Sequence, residues 1–348
     1  MINRHVSYLV FFKILIASLI LYIFTSILGW DMFKYPDFNS IYSECSRNYY
    51  SNILYGELFC SLNSISDKEF SHKSVIFIFI AGVINILLLV GYFKLFQKYL
   101  NEYGKYLFIA LLVLHPYMGV YFFRFYTDLF ASIGIFLIFY YLINNKRIDY
   151  FFILSGLILM NFRIALIPVF FIYSFFEIIQ RYKSNKSFGM PVILIIFSLI
   201  SLIPVLDFGM KFAQINSTIS LFNKMIFNFI FTFGFRESFV GVFRQNFWGG
   251  DPLDPSLENP AIFISEFQAI DYFSLLVSIF LLMVHLIGLY GLIKFSMKER
   301  VFILISFAYI LVPLVTIAHM RYLLPLMPIL LFGLSYLFFK NKKLNLYN

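Results

Sequence analysis

Five arginines in this 348-residue chain stand where a charge is expensive. Arg124, Arg163 and Arg321 lie at the ends of long apolar runs, and Arg236 and Arg244 lie in a stretch between such runs. A guanidinium is a planar fork that matches phosphate oxygens bidentately, so two or more of these converging would hold a phosphate or diphosphate. The plainer reading of each taken alone is an anchor to lipid headgroups. Carboxylates supply the complementary chemistry. Asp31 closes the first apolar run in Gly29-Trp30-Asp31, and Asp37 follows six residues later beside Pro36. Either can take a proton from a hydroxyl or coordinate a divalent ion, and either can equally be a plain loop acid. Asp128 follows Arg124 by four residues, which on a helix puts both on one face. That spacing fits a structural ion pair, or a polar wall presenting Arg124 to an anionic headgroup. His319, two residues before Arg321, adds an imidazole whose ordinary titration lies near neutrality.

The elements that position these residues follow from composition. The chain is 61% hydrophobic and 13% charged, with 48 Phe and 25 Tyr. A soluble domain has about twice that charge content, so a soluble enzyme, a disordered protein and a disulfide-dense secreted module are all excluded. The pattern predicts an all-α polytopic membrane protein. Apolar runs place spans near 7–29, 74–93, 105–122, 127–144, 150–161, 164–180, 189–206, 272–293, 301–318 and 323–339, ten in all, with both termini on one side. The 150–161 run is short and extends through Arg163 or crosses only part of the layer. The first run lacks a small-residue cleavage pattern and is expected to be a retained helix.

Charge tests the topology independently. The side expected to be cytoplasmic carries 16 basic and 4 acidic residues, net +12, which leaves 11 basic and 14 acidic residues, net −3, on the other. Every short inner loop is basic, as the positive-inside rule requires. The formal net charge of +9 is thereby explained without nucleic acid.

Two long outer loops are expected, 30–73 and 207–271, within a single integral-membrane domain, 1–348. Cys45 and Cys60, the two cysteines, both fall in the first loop, where an oxidising exterior would permit a disulfide; two unpaired thiols are the alternative. In the second loop, residues 219–235 are apolar but carry Asn223, Lys224 and Asn228, which fits an interfacial or re-entrant helix. An eleventh span there would invert the basic loops that follow. Gly249 to Ser256 is turn-rich and acidic, suited to capping a polar substrate or simply to connecting. There is no metal-ligand spacing, dinucleotide fingerprint or phosphate-binding loop, so no cofactor is expected, and the sequence leaves a divalent ion open.

Taken together, the acid after the first run (Asp31, then Asp37), Pro116 … Arg124 … Asp128, the Arg163 hairpin and Arg321-Tyr322-Leu323-Leu324-Pro325-Leu326-Met327-Pro328 resemble a family. The chain is similar to O-antigen and capsular polysaccharide polymerases (Wzy) and to the related GT-C superfamily of membrane glycosyltransferases. The resemblance implies a GT-C-like fold with two periplasmic loops in a bacterial inner membrane. It implies transfer of saccharide units from a polyprenyl-diphosphate-linked donor glycan to a lipid-linked acceptor, in contact with membrane lipid and with a partner that regulates chain length. Arg124, Arg163, Arg236, Arg244 and Arg321 would hold the leaving phosphate. Asp37 or Asp31, then Asp128, or else His319, would take the acceptor proton. A single-sugar transferase using a polyprenyl-phosphate donor and a flippase of lipid-linked glycans are the alternatives.

Overall fold

A computed structural model describes residues 75–115, 118, 122, 123, 125, 127–184, 187–214, 269–296, 301–315 and 320–341, with single positions at 16, 20, 58, 61, 225, 229 and 233. The regular elements among these residues are all helical, with no β-strand. In chain order the helices are α1 (Val75–Phe96), α2 (Glu102–Leu114), α3 (Thr127–Ile143), α4 (Tyr150–Phe162), α5 (Ile167–Lys183), α6 (Gly189–Gln214), α7 (Ala269–Ser296), α8 (Val301–Val315) and α9 (Met327–Phe339). Short 3-10 turns at Ile164–Leu166 and Met320–Leu326 lead into α5 and α9.

Four stretches, Ile76–Tyr99, Ile164–Lys183, Leu275–Phe295 and Tyr322–Phe339, are long and apolar enough to cross a membrane. Thr127–Ile143, Tyr150–Phe162, Gly189–Leu202 and Phe302–Leu311 are shorter apolar helical stretches. One expected span, 105–122, ends early: α2 stops at Leu114, and His115 is extended. Pro116 explains this, because the residue before a proline is pushed out of the helical region. Conversely, α6 continues to Gln214, into the first residues assigned to the second outer loop. The expected first span, 7–29, lies outside the described residues except for Ile16 and Ile20, both helical.

The outside of the bundle is apolar. Ile76, Phe79, Val83 and Leu87 form a stripe on α1, and Leu276, Phe280 and Met283 one on α7, with Phe79 69% exposed. Polar side chains such as Asp128, Arg163, Glu177, Arg181 and His285 are buried instead. That inversion is what a lipid solvent selects.

The closest packing joins α7 to α9. A Cβ at Gly291 would meet the Gly333 carbonyl oxygen, and one at Gly288 the Leu330 carbonyl oxygen, both inside any tolerable distance. Small residues here let two backbones touch, a means of gaining dispersion contact where lipid removes the hydrophobic drive. Near the ends of these helices, Phe96 stacks on Phe332 at 4.1 Å, and Phe295 meets Phe332 edge-on at 5.0 Å. Two backbone bonds, Asn101 N–H to Phe339 and Asn341 N–H to Tyr99, then tie the α1–α2 connection to the end of α9.

Candidate functional site

Three interruptions of regular helix carry the buried polar residues. The first is the end of α2 at His115. The second is the α4–α5 hairpin, where Arg163 is extended (φ −149°, ψ 106°) between α4 and the 3-10 turn. Asn161 assists that break by donating to the Leu157 carbonyl (2.9 Å), and Pro168 restarts the chain as α5. The third is the 3-10 turn Met320–Leu326, which holds Pro325 and passes into α9 at Pro328.

Arg163 is the hub. Its Nη2 lies 3.1 Å from Asp128 Oδ1 and its Nη1 donates to Thr127 Oγ1 at 3.2 Å, both acceptors lying on the first turn of α3. The guanidinium sits 4.7 Å from the centre of the Tyr322 ring, a cation–π contact from the 3-10 turn. Tyr309 on α8 is within electrostatic reach of Arg163, Asp128 and Tyr322. Arg163 and Asp128 are both buried. Phe162 reinforces the placement by stacking on Phe130 of α3 at 4.1 Å.

Asp128 also lines a narrow cleft between α1, α3 and the start of α9. Its other walls are Asn85, Leu88, Leu89, Tyr92, Met118, Phe122, Leu129, Ser132, Leu324 and Pro328. Asn85 donates to the Phe122 carbonyl (2.7 Å), and Ser132 to the Asp128 carbonyl (2.9 Å).

A second buried polar assembly crosses the interior. His115 and His285 are 2.9 Å apart through their Nε2 atoms, and His285 Nδ1 contacts the Phe233 carbonyl. The carbonyl can only accept, so Nδ1 of a neutral His285 carries the proton and its Nε2 accepts from His115. Phe233 and Phe229 are stacked at 4.4 Å, and Phe233 is fully buried. The segment expected to be an interfacial helix therefore reaches the core at Phe233.

Of the residues singled out from the sequence, Asp128, Arg163 and the Tyr322–Pro328 motif are brought together here. Asp31, Asp37, Cys45, Cys60, Arg124, Arg236, Arg244 and His319 lie outside the described residues, as does the side chain of Arg321. Sequence reasoning passed over Tyr92, Asn85, Thr127 and His285. His285 carried a signal, since it is an ionisable residue inside an unbroken apolar helix. Among the described residues no group of three or more His, Cys, Asp or Glu gathers to hold a metal ion.

The class these features define is an all-helical bundle with an apolar exterior and a buried acid–arginine site. No family model, curated protein or solved structure matches the chain.

Proposed function

We propose that this protein is a polytopic inner-membrane transferase of lipid-linked saccharides, acting at the outer face, and that it polymerises a surface polysaccharide. The observation that carries this reading is the convergence of two helix breaks, the Arg163 hairpin and the turn that holds Tyr322, on Asp128 at the start of α3. Helices α2 and α4, at 13 residues each, rise about 20 Å, against a hydrocarbon layer of about 30 Å. Crossing from one surface, each would leave at least one end within the apolar layer. Irregular backbone persists at that depth where protein buries it or where it lines a cavity. A buried polar site with apolar walls suits a substrate that is half isoprenoid and half sugar.

In the transfer, an acceptor hydroxyl attacks the anomeric carbon, the bond from that carbon to the phosphate oxygen breaks, and the lipid diphosphate leaves with the electron pair. The hydroxyl proton passes to a carboxylate. Asp37, Asp31 and Asp128 are the candidates, with His319 as the alternative. Arg163 is bound on one edge by Asp128 and Thr127 and covered on one face by Tyr322. It therefore acts first as a positioning group for Asp128. Arg124, Arg236, Arg244 and Arg321 are the arginines proposed to meet the diphosphate, where they stabilise the charge that grows on the leaving group.

The test is a clean deletion in the native strain, with surface polysaccharide resolved by size. Loss of the long ladder with a single-repeat band retained is the expected result, and an unchanged ladder would remove the reading. A second reading, a flippase for the same lipid-linked glycan, is favoured by the buried His115–His285 pair, since ionisable pairs inside a bundle mark transport pathways. In that case the deletion would also remove the single-repeat band.

A further inference from the structure

The polar side of the cleft is built from two facing helices. Asn85 and Tyr92 are seven residues apart on α1, and Asp128 and Ser132 four apart on α3, so each pair shares a helix face. Tyr92 is 1% exposed, and its hydroxyl has no hydrogen-bond partner among the described residues. Its ring is fixed, lying edge-on to Phe136 at 5.0 Å and stacked with Phe96 at 6.3 Å. A buried, rigidly held phenol without an acceptor bears the full penalty of its desolvation, which a structural role does not explain.

We infer that this cleft is a subsite for a hydroxyl-bearing arm of a neutral sugar, with Tyr92 donating to the sugar oxygen and Asp128 accepting from a sugar hydroxyl. The substrate class rests on the transfer reading; the chemistry rests on the cleft. A hydroxyl both donates and accepts, so it satisfies the carboxylate and the phenol together. A phosphate only accepts, and it would be placed beside a carboxylate. An ammonium only donates, leaving the Tyr92 proton without an acceptor, and Arg163 already balances the Asp128 charge. Met118, Phe122, Leu324 and Pro328 supply apolar wall for the C–H face of the same arm. The cleft is narrow, which suits a hydroxyl or hydroxymethyl group and excludes a whole ring.

The test uses the full-length protein in phosphatidylethanolamine–phosphatidylglycerol nanodiscs. Its thermal midpoint is followed while methyl glucoside, methyl galactoside, N-acetylglucosamine or inorganic phosphate is titrated in. At least one sugar should raise the midpoint of the wild type, and phosphate should raise none through this cleft. Tyr92→Phe should weaken that sugar's apparent affinity about fivefold or more, the equivalent of one hydrogen bond. Without ligand, Tyr92→Phe should be as stable as wild type or more so, because it removes an unpartnered buried hydroxyl. Phe79→Ala, on the exposed face of α1, should leave the sugar affinity unchanged. The proposal is overturned by the absence of any sugar shift, by equal shifts in wild type and Tyr92→Phe, by a phosphate shift that needs Tyr92, or by a ligand-free Tyr92→Phe less stable than wild type. A lost polysaccharide ladder with no Tyr92-dependent shift would keep the transferase and sink the subsite. A Tyr92-dependent shift with an unchanged ladder would do the reverse.

Discussion

Arg163 and Arg181 are both buried against carboxylates, yet the protein holds them in different ways. Arg181 bonds Glu177 one helical turn away on α5 (2.9 Å), and its remaining donors reach the Ser187 and Ile148 carbonyls at 2.9 and 3.3 Å. Two backbone carbonyls and a neighbour on the same helix make that pair a fastening: it closes the α3–α4 and α5–α6 connections against each other. Tyr141 and Asp149 work alongside it. Tyr141 donates to both carboxylate oxygens (2.9 and 3.0 Å) while Asp149 caps α4 by accepting from the Phe152 N–H (2.8 Å). Arg163 instead bridges separate elements through side chains, and its acid lines a cleft. Ion-pair chemistry is common to both; what distinguishes them is whether the partners belong to the backbone or to a cavity. In a low-dielectric interior both pairs are costly to break, but one of them also presents a charged group to a cleft.

The largest effects come from breaking either pair outright. Arg181→Ala and Arg163→Ala each leave a buried carboxylate uncompensated and should each lower stability by about 3–5 kcal/mol. Thermal unfolding of protein extracted from membranes measures this, and a loss under about 1 kcal/mol would mean that solvent reaches the pair. Opening the α7–α9 contact should be comparably damaging without touching either arginine. Gly291→Leu places a side chain where the Gly333 carbonyl lies, and a sharp drop in inserted protein is expected, whereas Gly189→Ala, in open space, should be neutral.

Smaller changes sharpen the comparison. Thr127→Val removes one hydrogen bond to the Arg163 guanidinium and should cost about 1–2 kcal/mol, read from the same unfolding curves. Tyr322→Phe keeps the ring beneath the guanidinium and should change stability by a few tenths of a kcal/mol. Tyr322→Leu loses the cation–π contact and should cost about 1–2 kcal/mol. Equal losses in Phe and Leu would show that the phenol, not the ring face, matters.

The helices were largely legible because apolar runs and basic loops are properties of local sequence. Each of the nine expected spans from 74–93 to 323–339 contains a helix, and the α2 boundary moved for a local reason, Pro116. The assembly around Arg163 was legible only in pieces. Arg163, Asp128 and the Tyr322–Pro328 motif were each conspicuous, but nothing local indicates that Arg163 pairs with Asp128 across two helices and not with a nearer acid. The sequence spacing suggests Arg124, which lies outside the described residues, as a partner of Asp128; packing of α3 against α4 brings Arg163 to the same carboxylate. Tyr92 and Asn85 were invisible for a different reason. In a chain with 25 tyrosines, one more inside an apolar helix carries no signal until its hydroxyl is seen to lack a partner.

The most direct measurement complements the deletion strain with Arg163→Lys or Arg181→Lys and compares the polysaccharide ladders at matched levels of inserted protein. Lysine keeps the charge but loses the planar fork. The account predicts a full ladder from Arg181→Lys and a single-repeat band from Arg163→Lys. A full ladder from Arg163→Lys, or a lost one from Arg181→Lys, would contradict it.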